Sequence, residues 1–508
     1  MGGRYGTFKY SQEKYGAAPA TGNLLWIIEI DWDGSNVWSG TNEARYTVDY
    51  NISRGRRYYL ARGGAGFGSL EVGRLTITLV NKDGRFDPYN TDSPLYPNVE
   101  PGKYIRVRVK NGSTGSIYDR FSGIITDIRD VGNQSLPMIA ITAEDGWSWL
   151  QEQEVSVIPS ADVISSDAVD TILTKAEYPS IWGTDVQTGA TSLSYWWEDG
   201  RSASVCIADI ADSELAHYGI DGSGKFIFLS RYSMDDPIVT ITQSEILKDL
   251  SVSQPWEFVR NVAKVTVKPI TLYEGVEIWR MTDVPSVEAG GTLDIWGNLT
   301  YNSRRVAALS IDQPLASTDY NMSTVEDGSG SDVTGDFAVT ASNFGERVKV
   351  SITNNGAVAG YVTELRLLGD ALDNPSNSVI EVDDSSTGQQ KRTFTLESKH
   401  IQRVNAANNL ANYLVSFLGS VRGFPTIRIE NRPTYQFGAD LTDRISLSIA
   451  YKGISATVYR IGYIEERWLT SNGQSVLTTW ITEPSSNLSG YWIFNDALRF
   501  DYTTIFGL

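Results

Sequence analysis

The sequence predicts a mainly β, multidomain fold with one α+β module, and three observations point there. Runs of apolar/polar alternation recur along most of the chain, the period-2 signature of strands with one buried and one wet face. The composition includes 26 Tyr and 14 Trp, residues that suit pleated surfaces. Helical spacing of apolar residues is confined to two stretches between 166 and 217 and a longer one near 399–418. At 508 residues the chain exceeds the roughly 250–300 at which a single core stops growing, so three or four domains are expected.

Residues 1–23 are polar and Gly-rich and read as a flexible arm. Leu24 to Asp31 alternates and runs into Trp32-Asp33-Gly34-Ser35, an Asp-Gly turn of the kind that joins hairpin strands. Leu75, Ile77 and Leu79 alternate with threonines, and Ile105, Val107 and Val109 with Arg106, Arg108 and Lys110. Strands around Phe121–Ile128 and Met138–Ala143 complete a first β domain over 24–150. The α+β domain, 151–258, opens with a helix that Ser166 is placed to cap, with the stripe Val169, Ile172, Leu173 and Ala176 and an end before Pro179. A second helix, Ser202 to His217, would turn Val205, Ala208, Ala211 and Leu215 inward and stop at Gly219, ahead of a strand at Lys225–Leu229.

Strands at Lys264–Lys268, Val348–Thr353 and Tyr361–Leu368, parted by Gly, Asn, Ser and Asp clusters, suggest an inserted β-sandwich domain over 259–394. A long helix, Lys399 to Leu418, would place Val404, Ala407, Ala411, Leu414 and Leu418 on one side and opens the last domain, 395–485. Its strands fall at Ile427–Ile429, Ile445–Ile449, Val458–Glu465 and Ser475–Ile481, and 486–508 is an irregular, aromatic C-terminal tail.

The formal charge of -18 opposes nucleic-acid binding, because phosphate recognition needs Lys and Arg to displace counterions. It suits an acidic surface that keeps a large assembly subunit soluble before it meets its partners, and equally an acidic channel wall past which DNA moves without sticking; charge alone does not separate the two. The single cysteine, Cys206, excludes an intrachain disulfide and a four-thiolate metal site. No run approaches the roughly 20 apolar residues of a membrane span, and residues 1–23 lack a signal-peptide core, so a chain made and used in solution is expected, with no membrane insertion.

Candidate chemistry is sparse. His217 and His400 fall at expected helix ends, where a cation is favoured or simply solvated. Cys206 falls on a helical face and reads as packing. Glu198-Asp199 beside Trp196-Trp197 is the leading candidate for a carboxylate pair. Asp327-Gly-Ser-Gly-Ser-Asp332 lacks the terminal glutamate of a calcium loop and reads as a turn, and Asp383-Asp384 as a loop pair. The sequence therefore gives no catalytic, cofactor-binding or metal residue, no cofactor, and no enzyme. Arg54, Arg56, Arg57 and Arg62 form a basic group in an acidic chain, suited either to the acidic surface of a neighbouring subunit or to guarding a strand edge.

One long pattern is specific. Asn81-Lys-Asp-Gly-Arg-Phe-Asp-Pro-Tyr-Asn90, Ser93-Pro-Leu-Tyr-Pro-Asn98 and Pro101-Gly-Lys-Tyr-Ile-Arg-Val-Arg108 resemble the minor tail proteins of long-tailed bacteriophages. So do the flanking Ser53-Arg-Gly-Arg56, Phe121-Ser-Gly-Ile124, Ala143-Glu-Asp-Gly-Trp147, Tyr195-Trp-Trp-Glu-Asp-Gly-Arg-Ser-Ala203, Pro255-Trp-Glu-Phe-Val-Arg-Asn261 and Tyr491-Trp-Ile-Phe494, in the order that family shows. The resemblance implies a tail-hub-like architecture, in which β-barrel or sandwich ring domains at 24–150 and 395–485 carry the inserted sandwich. It also implies a virion protein at the distal end of the tail, made in the bacterial cytoplasm, that forms a homotrimeric ring, caps the tube and gates DNA exit. Its expected partners are further copies of itself, the tail tube or distal tail protein, the tape measure protein, and a tail fibre or receptor-binding protein. Tyr195, Trp196, Trp197, Tyr491, Trp492 and Phe494 are candidate interface anchors. With Leu508 as its last residue, the chain is expected to carry no receptor-binding or lytic module of the kind that extends some family members. The alternatives are a distal-tail adaptor or outer baseplate subunit, or a carbohydrate-binding adhesin using the sandwich.

Overall fold

The computed structural model describes residues 24–485 apart from 39, 57–69, 134, 234, 245–248, 255–257, 387–389, 421 and 472. The expected arm at 1–23 and the tail with Tyr491, Trp492 and Phe494 lie outside the described residues, as do Arg57, Arg62 and Pro255-Trp256-Glu257.

Six strands open the chain: β1 (Leu24–Ile30), β2 (Thr47–Gly55), β3 (Glu71–Val80), β4 (Tyr104–Asn111), β5 (Ile117–Asp130) and β6 (Met138–Glu144). They pair in the order β1-β4-β5-β6-β3-β2, antiparallel throughout. The alternation read from sequence sets the faces: Leu75, Ile77, Leu79, Ile105, Val107 and Val109 are all fully buried. The hairpin expected at Asp33-Gly34 is not formed, and β1 pairs with β4 instead. The Asp31 carboxylate accepts the backbone N–H groups of Ser35 and Asn36 at 3.2 and 2.8 Å, folding 31–36 into a loop that carries the chain away from β1.

The α+β module follows: α1 (Gly146–Glu152), β7 (Glu154–Ile164), α2 (Ser165–Lys175), β8 (Thr184–Val186), β9 (Ser192–Ser202), α3 (Ala203–Glu214), β10 (His217–Ile220) and β11 (Phe226–Leu229). The α2 stripe is buried as expected, but Ser166 is not its cap; Ser165 and Ser166 are already inside the helix. In α3 the inward face is Ala203, Cys206, Ile207, Ile210 and Ala211, and Val205 is 47% exposed. That rotates the expected face, and Leu215 in the left-handed region ends the helix, not Gly219. His217 therefore sits on a strand.

β12 (Val239–Thr242), β13 (Asp249–Ser253) and β14 (Val262–Val267) lead into the insertion. β15 (Thr271–Arg280), β16 (Ser286–Val287), β17 (Thr292–Asn298), β18 (Thr300–Tyr301), β19 (Arg304–Arg305), β20 (Ala307–Ile311), β21 (Tyr320–Ser323), β22 (Phe337–Asn343), β23 (Arg347–Asn354) and β24 (Gly360–Asp373) build it. A five-stranded sheet around β24 and the three-stranded sheet β17-β23-β22 close on a core containing Ile278, Val350, Ile352, Val362 and Leu365. The residues read as one sandwich, 259–394, divide between two packing units. β14 pairs outside that sandwich with β25 (Ser378–Asp383) and β26 (Thr393–Glu397), under α4 (Val404–Leu418). Helix α4 starts five residues later than expected and Val404 is 54% exposed. The missing turn is spent on β9: the Gln402 amide accepts from Tyr195 N at 3.0 Å and donates to Tyr195 O at 2.6 Å.

β27 (Phe424–Glu430), α5 (Pro433–Gly438), β28 (Arg444–Ile449), β29 (Ile454–Trp468) and β30 (Val476–Pro484) complete the described chain. They form a second set of six with β12 and β13, in the order β12-β28-β29-β30-β27-β13. The 15-residue β29 pairs with β28 through its first half and with β2 at Tyr463–Arg467, so the two sets make one 12-stranded sheet. Strands from both ends of the chain share a core. Phe437, Trp468 and Val476 pack among Trp26, Tyr50 and Phe121. The outer edge of β1 is closed by side-chain amides. Asn42 Oδ1 accepts from Ile28 N at 2.9 Å and Gln474 Oε1 from Leu24 N at 3.1 Å, which blunts an edge that would otherwise template another strand.

Candidate functional site: a charged seam and an interdomain cleft

Of the basic group, Arg54 and Arg56 are described, and neither guards a strand edge nor lies free for docking. Arg54 is 1% exposed and Arg56 7%. Arg54 donates to Asp440 Oδ1 at 2.7 Å and to Ile220 O at 3.2 Å, and Asp440 Oδ2 accepts from Gly222 N at 2.7 Å. Arg56 donates to Glu483 Oε1 at 2.6 Å and to His217 Nδ1 at 3.0 Å. Nearby, Arg120 on β5 pairs with Glu466 on β29, both sealed from solvent, and Tyr50 OH donates to Glu466 at 3.3 Å. These links tie the N-terminal strands, the C-terminal strands and the α+β module together.

Burial works against the Glu483 charge, yet Arg56 and His217 hold its carboxyl down to about 2. Burial, with Arg460 and Arg56 adding, pushes His217 down to about 4, which keeps Nδ1 free to accept from Arg56. The depressed folded-state value means that, from pH 6.5 down to 4, the unfolded chain binds a proton the folded chain does not. Relative to a His217→Gln variant, the native protein should lose about 1–3 kcal/mol of stability as pH falls through that window, measured by urea midpoints. A difference independent of pH would contradict this placement of His217.

The pleat of β9 separates its aromatic cluster. Trp196 and Glu198 face inward and are 2% and 0% exposed, while Tyr195 and Trp197 face the other side, half-buried. Trp196 is thus a core residue and not an interface anchor. Glu198 Oε2 accepts from Lys399 Nζ and Arg201 Nη2, both at 2.7 Å, and from Cys206 Sγ at 3.2 Å; His400 Nε2 lies 3.5 Å from Oε1. Burial opposes its charge, but His400, Lys399 and Arg201 hold it well below the usual carboxylate range. The same burial, with Glu198 adding, pushes the Cys206 thiol up to about 12, so it is no ready nucleophile. Asp199 turns outward to Arg305 and Arg347 at 2.8 and 3.1 Å. The two carboxylates are parted by the strand and each is neutralised by cations, an arrangement that fastens modules together.

Above Tyr195 and Trp197 opens a cleft of about 220 Å³, bounded by Arg304–Ala307 of the sandwich, by Asp373 and Asn374, and by Lys399, His400 and Gln402. Trp197 Nε1 donates to Glu346 at 3.1 Å, and Arg305 Nε bonds the same carboxylate at 2.7 Å. Arg304 reaches Asp373 at 3.1 Å and Lys268 reaches Glu397 at 2.7 Å. His400 is 3% exposed and precedes α4 instead of lying in its first turn.

Asp327 and Asp332 cap their own turns through Ser329 N and Thr334 N, each at 2.9 Å, and Asp383 pairs with Lys391. Among the described residues, no three His, Cys, Asp or Glu side chains cluster to hold a metal ion. The long motif at 81–98 is structural. Asn81 Oδ1 accepts Phe86 N at 2.9 Å, Arg85 binds Glu43 at 2.8 Å, and Phe86 is fully buried beside Trp32 and Tyr46. Sequence reasoning missed Arg120, Asp440, Glu466 and Glu483. The pairs Arg120–Glu466, Arg54–Asp440 and Arg56–Glu483 span 346, 386 and 427 positions, so no local pattern announces them.

No protein-family model and no curated protein matches the chain. Among solved structures it is similar to the 43 kDa tail protein of prophage MuSo2 from Shewanella oneidensis, with a TM-score of 0.50 at 9% identity over 91% of this chain and 99% of that one. It is also similar to the tail protein from Neisseria meningitidis MC58, with a TM-score of 0.49 at 10% identity over 90% of this chain and 96% of that one. The chain has the mainly β, multi-sheet fold of a phage tail protein, the fold that the motifs between 81 and 108 imply.

Proposed function

We propose that the chain is a structural, non-enzymatic subunit of a phage tail, a hub that caps the tube at its distal end. The observation that carries this reading is the 12-stranded sheet made of two six-stranded sets from opposite ends of the chain. Three copies would present six such sets around one axis, the symmetry a sixfold tube requires of a trimeric partner. The sandwich would then project toward fibre or receptor-binding components, and the tape measure protein and DNA would occupy the channel. Gating follows if the ring has two packings that a distal signal can bias through differential contacts. Light scattering on the purified 56.0 kDa chain tests self-assembly. A mass three times that of the chain is expected, and a concentration-independent monomer would move the reading to an adaptor that needs other tail proteins.

A further inference from the structure

We propose that the cleft between β9 and the sandwich binds an acidic sugar residue, a pyranose carrying a carboxylate or a phosphate. Four cations line it, Lys268, Arg304, Arg305 and Lys399, against two acids, Glu346 and Asp373, in a chain whose net charge is -18. Glu397, Glu198 and Asp199 pair three of these cations from outside the lining, so the excess is confined to the wall that a ligand meets, where it favours an anion. The floor is aromatic: Tyr195 and Trp197 stand on the same face of β9, so a ring can lie against them with its apolar C–H face inward. One lining group asks for a hydroxyl. Asn374 Oδ1 is buried and has no hydrogen-bond partner, while its amide nitrogen donates to Asn377 at 2.9 Å. At about 220 Å³ the cleft holds less than the roughly 300–1,000 Å³ of drug-sized sites, which limits it to one sugar unit at a time.

One of the cations can be lent to a ligand at little cost. Lys268 is paired with Glu397, which is 58% exposed, so water readily takes over for the partner that is given up, whereas Arg304 stays on Asp373, a buried carboxylate that would be stranded without it. Arg305 and Lys399 stay engaged with Glu346 and Glu198, and keep the walls in place. The assignment rests on the cleft alone and does not depend on the tail reading.

The test is titration of the full chain with methyl β-glucuronide, glucose 6-phosphate, methyl β-glucoside and orthophosphate, followed by saturation-transfer NMR and tryptophan fluorescence. At least one acidic sugar should bind saturably in the millimolar range, at least about tenfold tighter than the neutral glucoside; which of the two wins identifies carboxylate or phosphate as the anion. Trp197→Ala and Lys268→Ala should each weaken it by about fivefold or more. Trp296→Ala, on an exposed sandwich face with the Trp296 ring tilted against Phe344 at 4.8 Å between centroids, should leave it unchanged. Lys268→Ala keeps the test sound if Trp197→Ala disturbs folding. Absence of saturable binding, equal binding of the glucoside, orthophosphate binding as tightly as the sugars, or loss of binding in Trp296→Ala would each overturn the proposal.

Discussion

Replacing Glu466 by alanine is expected to cost about 3–5 kcal/mol of stability, because it strands a buried guanidinium. Arg120 is 1% exposed, and Glu466 is the acid it pairs with across the sheet. The orphaned charge would also lose the orientation that lets it donate to Phe437 O at 3.3 Å, and Tyr50 OH would lose its acceptor. A double replacement, Arg120→Met with Glu466→Leu, should recover most of the loss, since two apolar groups of similar volume leave no charge to solvate. Urea midpoints of the three proteins measure both effects. A Glu466→Ala variant as stable as the parent would mean that water reaches Arg120 and that the seam is open.

Trp26→Ala should cost a similar ~3–5 kcal/mol, by a different mechanism. Its ring meets Tyr50 and Trp468 at centroid distances of 5.0 and 5.2 Å and Phe437 at 6.2 Å, and its Nε1 donates to Gly473 O at 2.8 Å. Trp26 belongs to the first strand, whereas Phe437, Trp468 and Gly473 lie near the end of the described chain. The cavity would therefore open where the two sets of strands share a core, and cooperativity between them should fall together with stability. Two separate unfolding transitions in the variant, against one for the seam of the parent, would be the calorimetric sign. An unchanged midpoint would place the shared core elsewhere.

Much of the fold was legible because it is written locally. Leu75, Ile77 and Leu79 alternate with polar residues, and the strand that results buries each of them. The α2 stripe and the later part of α4 were legible for the same reason at helical spacing. Errors arose where tertiary bonds outweighed local preference. The turn at Asp33-Gly34 carries hairpin chemistry, but the Asp31 carboxylate gathers the following N–H groups and β1 finds β4. Residues 399–402 have helical spacing, but Lys399 and Gln402 are drawn to Glu198 and Tyr195. Helix α1 spans only seven residues, too few for a period to show, although Asp145 caps it through Trp147 N at 3.1 Å. The candidate site was half legible. Tyr195, Trp197 and His400 were singled out as residues, but their roles depend on partners such as Glu346 and Asn374, far away in the chain. Arg54 and Arg56 stood out as unusual, yet the acids that bury them, Asp440 and Glu483, arrive only when the last strands join the first.

In the proposed ring, the two six-stranded sets would serve as the platform. Electron-microscopy class averages of the assembled chain test it most directly. Three copies are expected around a central channel, with six six-stranded sets lining it and three sandwiches projecting outward. A closed twofold dimer, or an open chain of subunits with no channel, would contradict it.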